Sequence, residues 1–207
     1  MKMITIIDYG VGNLGSMINM LKKIGAPAVV SNNPVDIAKA DKLILPGVGA
    51  FDAGMKNLES LGLVQVLNRL VLEEKVPILG VCLGMQLLSK KSEEGKLPGL
   101  GWLDADTTRF KFAGTNSNLK IPHMGWNQLT VCQAHPLFAD LEAVNRFYFV
   151  HSYHISCADP NNILARTSYG FDFTSAIVKD NIMGVQFHPE KSHKYGMRLL
   201  KNFMERV

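Results

Sequence analysis

The stretch Val76-Pro-Ile-Leu-Gly-Val-Cys-Leu-Gly-Met-Gln-Leu-Leu88 joins an almost wholly apolar run to a helical pattern that begins directly after it. An apolar run without polar alternation is typical of a parallel strand covered on both faces. Gly80 and Gly84 flank Cys82 and permit a sharp turn there, because neither carries a side chain that would collide with the turn. We therefore predict a strand–turn–helix unit with the Cys82 sulfur projecting from the turn, as in a nucleophile elbow.

The residues before this unit alternate between the same two patterns. Short apolar runs predict strands, and stretches with apolar residues at helical spacing follow them. The predicted strands are Met3–Asp8, Ala28–Ser31, Lys42–Leu45 and Val76–Val81, and the predicted helices are Leu14–Ile24 and the helical stretches from Phe51 to Leu72. Alternation of strand and helix is typical of a sheet with helices on both faces, so this half predicts an α/β fold.

The character of the chain changes after Lys91. Helical periodicity fades, and short β-like runs separated by proline and glycine replace it. The predicted elements of this half are Asn127–Val131, Phe147–Ile155, Ile163–Thr167, Thr174–Val178, Asn181–Phe187 and a closing helix at Tyr195–Glu205. We expect more antiparallel pairing here than in the first half.

Length, charge and cysteine content limit the possible classes of protein. With 207 residues and 47% hydrophobic residues, the chain suits one domain spanning residues 1–207. The net charge of +4 comes from scattered Lys and Arg, so no nucleic-acid partner is expected. No segment approaches the roughly 20 apolar residues of a membrane span, so no membrane partner is expected. Three widely spaced cysteines argue against disulfides and zinc, and indicate a cytoplasmic location.

The six histidines raise the question of a metal site. His151 and His154 are three residues apart in a predicted strand, and an odd spacing would place them on opposite faces. They would be a poor chelating pair, so we expect neither a metal nor another cofactor.

A histidine and a carboxylate follow the last predicted strand, in Gly184-Val-Gln-Phe-His-Pro-Glu190. Chemistry in α/β sheets gathers at the carboxyl ends of strands, so His188 can lie near Cys82 if both strands are central. Glu190 could accept a hydrogen bond from the imidazole and fix its tautomer. Cys82, His188 and Glu190 therefore form a candidate catalytic triad for cleaving an amide. The alternative for Cys82 is a buried cysteine that acts as a small hydrophobe.

Two glycine-rich loops follow predicted strands. Gly10-Val-Gly-Asn-Leu-Gly15 has the form of a dinucleotide fingerprint, but no acidic residue ends the second strand to hold a ribose. A cofactor-binding oxidoreductase is therefore the weaker interpretation. In Leu45-Pro-Gly-Val-Gly-Ala-Phe51, the glycines could turn backbone amides into a cleft as oxyanion donors, or could simply form a structural turn.

Pro46-Gly-Val-Gly49, Gly80-Val-Cys-Leu-Gly-Met-Gln86 and Gln186-Phe-His-Pro-Glu190 together resemble the motifs of the class I glutamine amidotransferases. The resemblance covers essentially the whole chain and is closest to the glutaminase subunits of imidazole glycerol phosphate synthases, in histidine biosynthesis. The segments that narrow it are Asp8–Asn13, Ile121–Asn127, Tyr148–Tyr153 and His188–Ser192. It implies a three-layer, flavodoxin-like fold with a mixed, mostly parallel sheet flanked by helices.

The resemblance also implies roles for residues around the triad. Cys82 would attack the side-chain amide of L-glutamine, with His188 relaying protons and Glu190 orienting it. The residues implied to bind glutamine are Gly49, Gln86, Ser152 and Tyr153. Leu83 and a turned peptide at Gly47–Val48 would form the oxyanion hole.

The resemblance further implies a separate partner that receives the ammonia, a (β/α)8-barrel cyclase subunit in a heterodimer. The residues implied to face this partner or its ammonia entrance are Asn13, His123, Trp126, Tyr148 and Lys191. The segment Thr107–Leu119 does not align clearly with the histidine-pathway subunits. Two alternatives therefore remain open: a paralogous glutaminase that serves an enzyme making amidine-bearing surface sugars, and a non-catalytic redox protein with a cysteine elbow.

Overall fold

A computed structural model describes residues 3–113 and 118–207. Its strands are β1 (Ile4–Ile7), β2 (Ala28–Ser31), β3 (Lys42–Gly47), β4 (Ile78–Cys82), β5 (Lys91–Ser92), β6 (Ala105–Arg109), β7 (His123–Asn127), β8 (Thr130–Val131), β9 (Phe147–His151), β10 (Tyr153–Cys157), β11 (Ile163–Ser168), β12 (Asp172–Lys179) and β13 (Ile182–Val185). Its α-helices are α1 (Leu14–Lys23), α2 (Pro34–Ile37), α3 (Phe51–Ser60), α4 (Leu63–Asn68), α5 (Leu83–Leu87) and α6 (His193–Arg206).

The central sheet follows the order β2-β1-β3-β4-β13-β12-β10-β6-β5. Its first five strands are parallel, in the order of a flavodoxin-like sheet with β13 as the fifth strand. The predicted α/β fold, with a mixed sheet and flanking helices, is confirmed. Parallel pairing brings the carboxyl ends of β3, β4 and β13 to one edge, which is where the sequence motifs converge.

Two apolar clusters cover the two faces of the parallel strands. Ile6 and Ile44 belong to a cluster formed with α1 and α6, whereas Ile7 and Leu43 belong to one formed with α3, α4 and α5. Neighbouring residues of a strand point to opposite faces, so strands that are apolar throughout are buried on both sides. This two-sided burial explains why the parallel strands read as continuous apolar runs in the sequence.

The second half of the chain adds antiparallel strands to the edge of this sheet. β12 pairs antiparallel with β13, β10 and β11, and β10 pairs antiparallel with β6. β7 and β9 form a separate two-stranded antiparallel sheet. The expected change to antiparallel pairing is confirmed.

Two of the predicted strands in this half are wrong in their extent. Asn127–Val131 contains the end of β7 and all of β8, which belong to different sheets. Phe147–Ile155 is likewise divided at Ser152, because β9 pairs with β7 while β10 pairs with β6 and β12. In both places the chain passes from one sheet to the other, and apolar periodicity does not record such a change of partner.

The helical stretch from Phe51 to Leu72 also contains a break. Gly62 adopts a left-handed conformation with φ of 65° between α3 and α4, and a π-helical turn at Arg69–Glu73 continues α4. Glycine adopts this conformation without strain, so it ends α3 and redirects the chain.

The buried ammonium group of Lys42 connects β3 to the C-terminal end of α6 by hydrogen bonds. Lys42, at the start of β3, is 1% exposed, and its Nζ donates to the carbonyl oxygens of Phe203, Met204 and Val207 at 2.8, 2.7 and 2.7 Å. Carbonyl groups at a helix C-terminus lack intrahelical partners, and a positive charge there is favourable. The sequence pattern did not indicate this contact, because its partners are more than 160 residues away.

Within the part of the chain that the structure describes, no helix is long and apolar enough to cross a membrane. Of the segment Thr107–Leu119, β6 takes up the first residues, and 114–117 lie outside the described residues.

Candidate active site

Cys82 ends β4 in a strained turn that leads directly into α5. Its backbone angles are φ 55° and ψ −110°, values that non-glycine residues rarely adopt. A Cβ atom at Gly84 would lie 1.8 Å from the Leu45 carbonyl oxygen, and one at Gly80 would lie 2.8 Å from the Gly84 carbonyl oxygen. The predicted elbow is confirmed, and both glycines are required because backbone atoms occupy the space that a side chain would need.

His188 and Glu190 form a buried pair just beyond the end of β13. His188 Nδ1 lies 2.7 Å from Glu190 Oε1, and the two side chains are 2% and 4% exposed. A hydrogen bond from Nδ1 to the carboxylate leaves Nε2 as the nitrogen available for chemistry. Nε2 has no hydrogen-bonding partner among the described residues, so it is free to exchange a proton with a reacting group.

The Cys82 side chain is close enough to His188 to act on its protonation. Burial disfavours the charged imidazolium, but interactions with the Cys82 and Glu190 side chains outweigh burial and raise the pKa of His188 from 6.5 to about 10. A protonated His188 beside Cys82 can deliver a proton to a leaving amine. The structure therefore brings together the three residues predicted as the triad.

A pocket of about 360 Å³ opens at Cys82. Its lining includes all four residues that the sequence analysis connected with glutamine: Gly49, Gln86, Ser152 and Tyr153. The break between β9 and β10 places Ser152, and Tyr153 at the start of β10, at the pocket wall. Gln86 reaches the same wall, because its Nε2 donates to the Tyr153 carbonyl oxygen at 3.1 Å.

The three residues predicted to form an oxyanion hole also meet beside Cys82. In the parallel register of β3 and β4, Gly47 is paired with Cys82. A Cβ atom at Gly47 would lie 2.9 Å from the Leu83 Cβ, so this loop is pressed against the first turn of α5. Leu83 and Val48 both line the pocket. Since no side chain caps α5, its first N–H groups remain available to a developing negative charge.

A family model described as Glutamine amidotransferase class-I matches residues 5–207, which include every element of this site. The chain belongs to the class I glutamine amidotransferase family.

Relatives place this amidotransferase within the family. It is 56% identical over 205 residues to the protein named imidazole glycerol phosphate synthase subunit HisH 2 of Methanococcus maripaludis, covering 99% of this chain and 100% of that protein. It is 54% identical, with the same coverage, to the protein of that name in Pseudomonas aeruginosa. It is 46% identical to subunit HisH of Bdellovibrio bacteriovorus, covering 98% of this chain and 100% of that protein. The chain therefore belongs with the HisH subunits.

Solved structures agree on the fold. A crystal structure titled as a glutamine amidotransferase superposes with a TM-score of 0.73 at 20% identity, covering 97% of each chain. A chain of PurLQS from Thermotoga maritima superposes with a TM-score of 0.72 at 16% identity, covering 98% of this chain and 97% of that one. At these identities the likeness concerns the fold alone.

Four of the five residues that the sequence analysis assigned to a partner surface are at least partly exposed in this amidotransferase. Trp126 is 46% exposed, and its ring stacks on His193. Lys191 Nζ lies 5.5 Å from the centre of the Tyr148 ring, which is half-buried beside the His188 ring. Exposed Asn13 caps α1 by accepting a hydrogen bond from the Ser16 amide at 3.2 Å.

The fifth residue, His123, requires a correction. It is 3% exposed, and its ring lies between those of Tyr169 and Phe149, with ring centres 4.1 and 4.9 Å away. Its side chain is therefore not part of the exposed surface that a partner would contact, while a place near the ammonia entrance stays a prediction. The strand period explains the result, because the exposed neighbours Met124 and Trp126 occupy the opposite face of β7.

The expectation that His151 and His154 lie on opposite faces is also wrong. Their rings lie 5.2 and 4.8 Å from the same Phe110 ring, because the break at Ser152 reverses the alternation of side chains. Among the described residues, no group of three or more His, Cys, Asp or Glu side chains is arranged to hold a metal ion.

Sequence reasoning missed two polar residues at the site. Gln186 is fully buried, and its Nε2 donates to the Cys82 sulfur at 3.6 Å. It lies two residues before His188, a spacing that places side chains on the same side of an extended chain, and this signal could have identified it. His151 also lines the pocket, and its position in a predicted strand gave no sign of this.

Replacing Glu190 with glutamine is expected to lower the pKa of His188 from about 10. The substitution removes the negative charge that favours the imidazolium while nearly keeping the shape of the side chain. In the wild type, the folded-state pKa lies above the unfolded value of about 6.5, so the stabilisation is complete below pH 6.5 and lost as pH rises through 10. An NMR titration of the His188 ring from pH 6 to 10.5 measures the shift.

The matched control for this titration is Glu142→Gln, which removes an exposed carboxylate paired with Lys194. We expect the His188 titration to be unchanged in this control. An equally unchanged titration in Glu190→Gln would show that Glu190 does not govern the protonation of His188.

Proposed function

We propose that this chain is the glutaminase subunit of an imidazole glycerol phosphate synthase, which hydrolyses L-glutamine to glutamate and ammonia and delivers the ammonia to a separate cyclase subunit. The observation that carries the proposal is the buried His188–Glu190 pair beside Cys82, which itself lines a pocket together with Gln86 and Tyr153. The HisH names of the relatives support the histidine pathway.

The proposed reaction proceeds in two steps. The Cys82 thiolate attacks the side-chain amide carbon of glutamine, and the N–H groups near Leu83 stabilise the oxyanion. His188 gives its proton to the departing nitrogen, so that ammonia leaves and a glutamyl thioester remains. His188, now neutral, takes a proton from water as the water attacks the thioester, and glutamate and the Cys82 thiolate are released.

The surface beside the triad fits a protein partner. Exposed Trp126 and His193 form an aromatic group with half-buried Tyr148, and Lys191 adds a cation that can pair with an acidic residue. Aromatic residues of this kind are enriched at the centres of interfaces. A partner that covers this surface would receive ammonia before water protonates it, and we propose a (β/α)8-barrel cyclase subunit in a heterodimer for this role.

The proposal includes the organisation of the chain and its location. One 11-stranded sheet contains both the first strand, β1, and the last strand, β13, which supports a single glutamine amidotransferase domain spanning residues 1–207. A biosynthetic reaction of this kind, with an unmodified thiol as its nucleophile, suits a cytoplasmic location.

A second candidate is a paralogous glutaminase that feeds a different acceptor enzyme, such as one that makes amidine-bearing surface sugars. The observation that favours it is the number 2 in the names of two relatives that are more than 50% identical. The chemistry at Cys82 would be unchanged, and only the protein docked at Trp126 and Lys191 would differ.

The experiment that tests the proposal measures glutamate release from glutamine, first by this chain alone and then with a histidine-pathway cyclase subunit and its ribonucleotide substrate. We expect strong stimulation by the cyclase. Negligible turnover together with selective alkylation of Cys82 by a glutamine analogue would reject the histidine-pathway partner in favour of another acceptor enzyme. Absence of both turnover and alkylation would reject the glutaminase function.

A further inference from the structure

A continuous line of hydrogen bonds joins β7 to the pocket. Asn127 Nδ2 lies 3.3 Å from His123 Nε2, His123 Nδ1 lies 3.0 Å from His151 Nε2, and His151 Nδ1 lies 2.7 Å from the Tyr153 carbonyl oxygen. His123 and His151 are 3% and 6% exposed, so water competes little for these contacts. We call these four residues the histidine chain.

The direction of every bond in the histidine chain follows from one fact. The Tyr153 carbonyl can only accept, so His151 Nδ1 must carry a proton. In neutral imidazole the other nitrogen is then an acceptor, and His123 Nδ1 must donate to it. His123 Nε2 is therefore an acceptor as well, and the Asn127 amide donates to it. One arrangement of protons satisfies all three contacts.

The surroundings keep both rings neutral. Burial lowers the pKa of His123 to about 4 and that of His151 to about 3. Both rings also pack edge-on or tilted against Phe173, with ring centres 5.6 and 5.2 Å away, which limits their rotation. The histidine chain therefore keeps one proton arrangement throughout the pH range in which the enzyme would work.

At its Tyr153 end, the histidine chain is connected to the Cys82 sulfur through two glutamine side chains. The Tyr153 carbonyl that accepts from His151 also accepts from Gln86 Nε2, at 3.1 Å. Gln86 Nε2 donates a second bond to Gln186 Oε1 at 3.0 Å, and Gln186 donates to the Cys82 sulfur. A displaced Tyr153 carbonyl would thus remove one of the two hydrogen bonds that hold the Gln86 amide.

We infer that His123, which touches neither the pocket nor Cys82, is a positioning residue for the glutamine site. Acting through His151, it holds the Tyr153 carbonyl and the Gln86 amide in the orientation that receives substrate. This inference rests on the proposed glutaminase function. The inference depends on the fixed donor and acceptor roles in the buried hydrogen bonds from His123 through His151 to Tyr153.

The test compares His123→Leu with His123→Asn in the complex with the cyclase subunit. Leucine removes the donor to His151, whereas the asparagine amide nitrogen can occupy about the position of the imidazole Nδ1. Leaving a buried acceptor unpaired is expected to raise the KM for glutamine about tenfold to a hundredfold in His123→Leu, with kcat changed less than about threefold. His123→Asn should return KM to within about threefold of the wild type.

The matched control is His154→Asn. The His154 ring packs against the same Phe110 ring, but its nearest polar contacts are to Thr108 and the Ile155 carbonyl, outside the histidine chain. We expect KM to be unchanged in this control. A KM rise of equal size in both asparagine variants would indicate a general disturbance of packing and overturn the inference.

The proton arrangement can be measured without turnover. In ¹⁵N NMR spectra of the full chain, His151 should carry its proton on Nδ1 and His123 should carry its proton on Nδ1. The opposite tautomer of His151, or a wild-type KM in His123→Leu, overturns the inference. Absence of turnover in the wild-type complex would instead reject the proposed function.

Discussion

Replacing Cys82 with alanine is expected to abolish glutamate release, by roughly 10⁴-fold or more. In the proposed mechanism, the Cys82 sulfur supplies the covalent step. Gln86, Gly49 and the Tyr153 carbonyl would still bind glutamine, so affinity should largely survive. Glutamate release by the complex with the cyclase subunit, together with the binding of glutamine by calorimetry, measures both effects.

The control for this experiment is Cys132→Ala. Cys132 is an exposed cysteine whose sulfur contacts the Thr130 carbonyl, far along the chain from the triad. We expect wild-type turnover from this variant. The Cys82→Ala chain should also still assemble with its partner, since the proposed contact surface lies at Trp126 and Lys191. Turnover within tenfold of the wild type in Cys82→Ala would remove the cysteine-nucleophile mechanism.

Replacing Gly84 with alanine is expected to lower the free energy of unfolding by about 3 kcal/mol or more. The added Cβ would lie 1.8 Å from the Leu45 carbonyl oxygen and 2.8 Å from its carbonyl carbon. These are backbone atoms of β3, so they cannot swing aside as the end of a flexible side chain would. α5 must move away from β3, and this movement displaces the Cys82 turn and the Leu83 amide. Urea unfolding and the rate of glutamate release should both report the damage.

The matched control is Gly15→Ala, at the second residue of α1, as Gly84 is at the second residue of α5. A Cβ atom at Gly15 would meet no other atom within 4 Å. Alanine favours the helix over glycine, so we expect stability to be unchanged or to rise by up to about 1 kcal/mol. Equal stability of Gly84→Ala and the wild type would show that the close approach of α5 to β3 is not a constraint.

Much of the fold could be predicted because its signals are local. The apolar runs around Leu43 and Leu79 identify buried strands, and the helical spacing of Met17 and Leu21 identifies α1. The elbow at Cys82 was predictable for the same reason, since the glycines that permit it are its neighbours. Where the pairing partner changes within a continuous apolar run, as at Ser152, the local pattern carries no signal of the change.

The sequence by itself determined the alternation of strand and helix and the turn at Cys82, because each depends on spacing along a short segment. It also predicted Cys82, His188 and Glu190 as a candidate triad, because each motif follows the end of an apolar strand. Only the tertiary structure decided that Gly47 lies opposite Cys82, that Gln186 reaches the sulfur, and that His123 is buried against His151 rather than facing a partner. The side-chain contacts join residues that are 28 and 104 positions apart in the sequence. The pairing of Gly47 with Cys82 joins two adjacent strands of the sheet. Their geometry depends on strand register and on the passage of the chain between two sheets, which no local periodicity encodes.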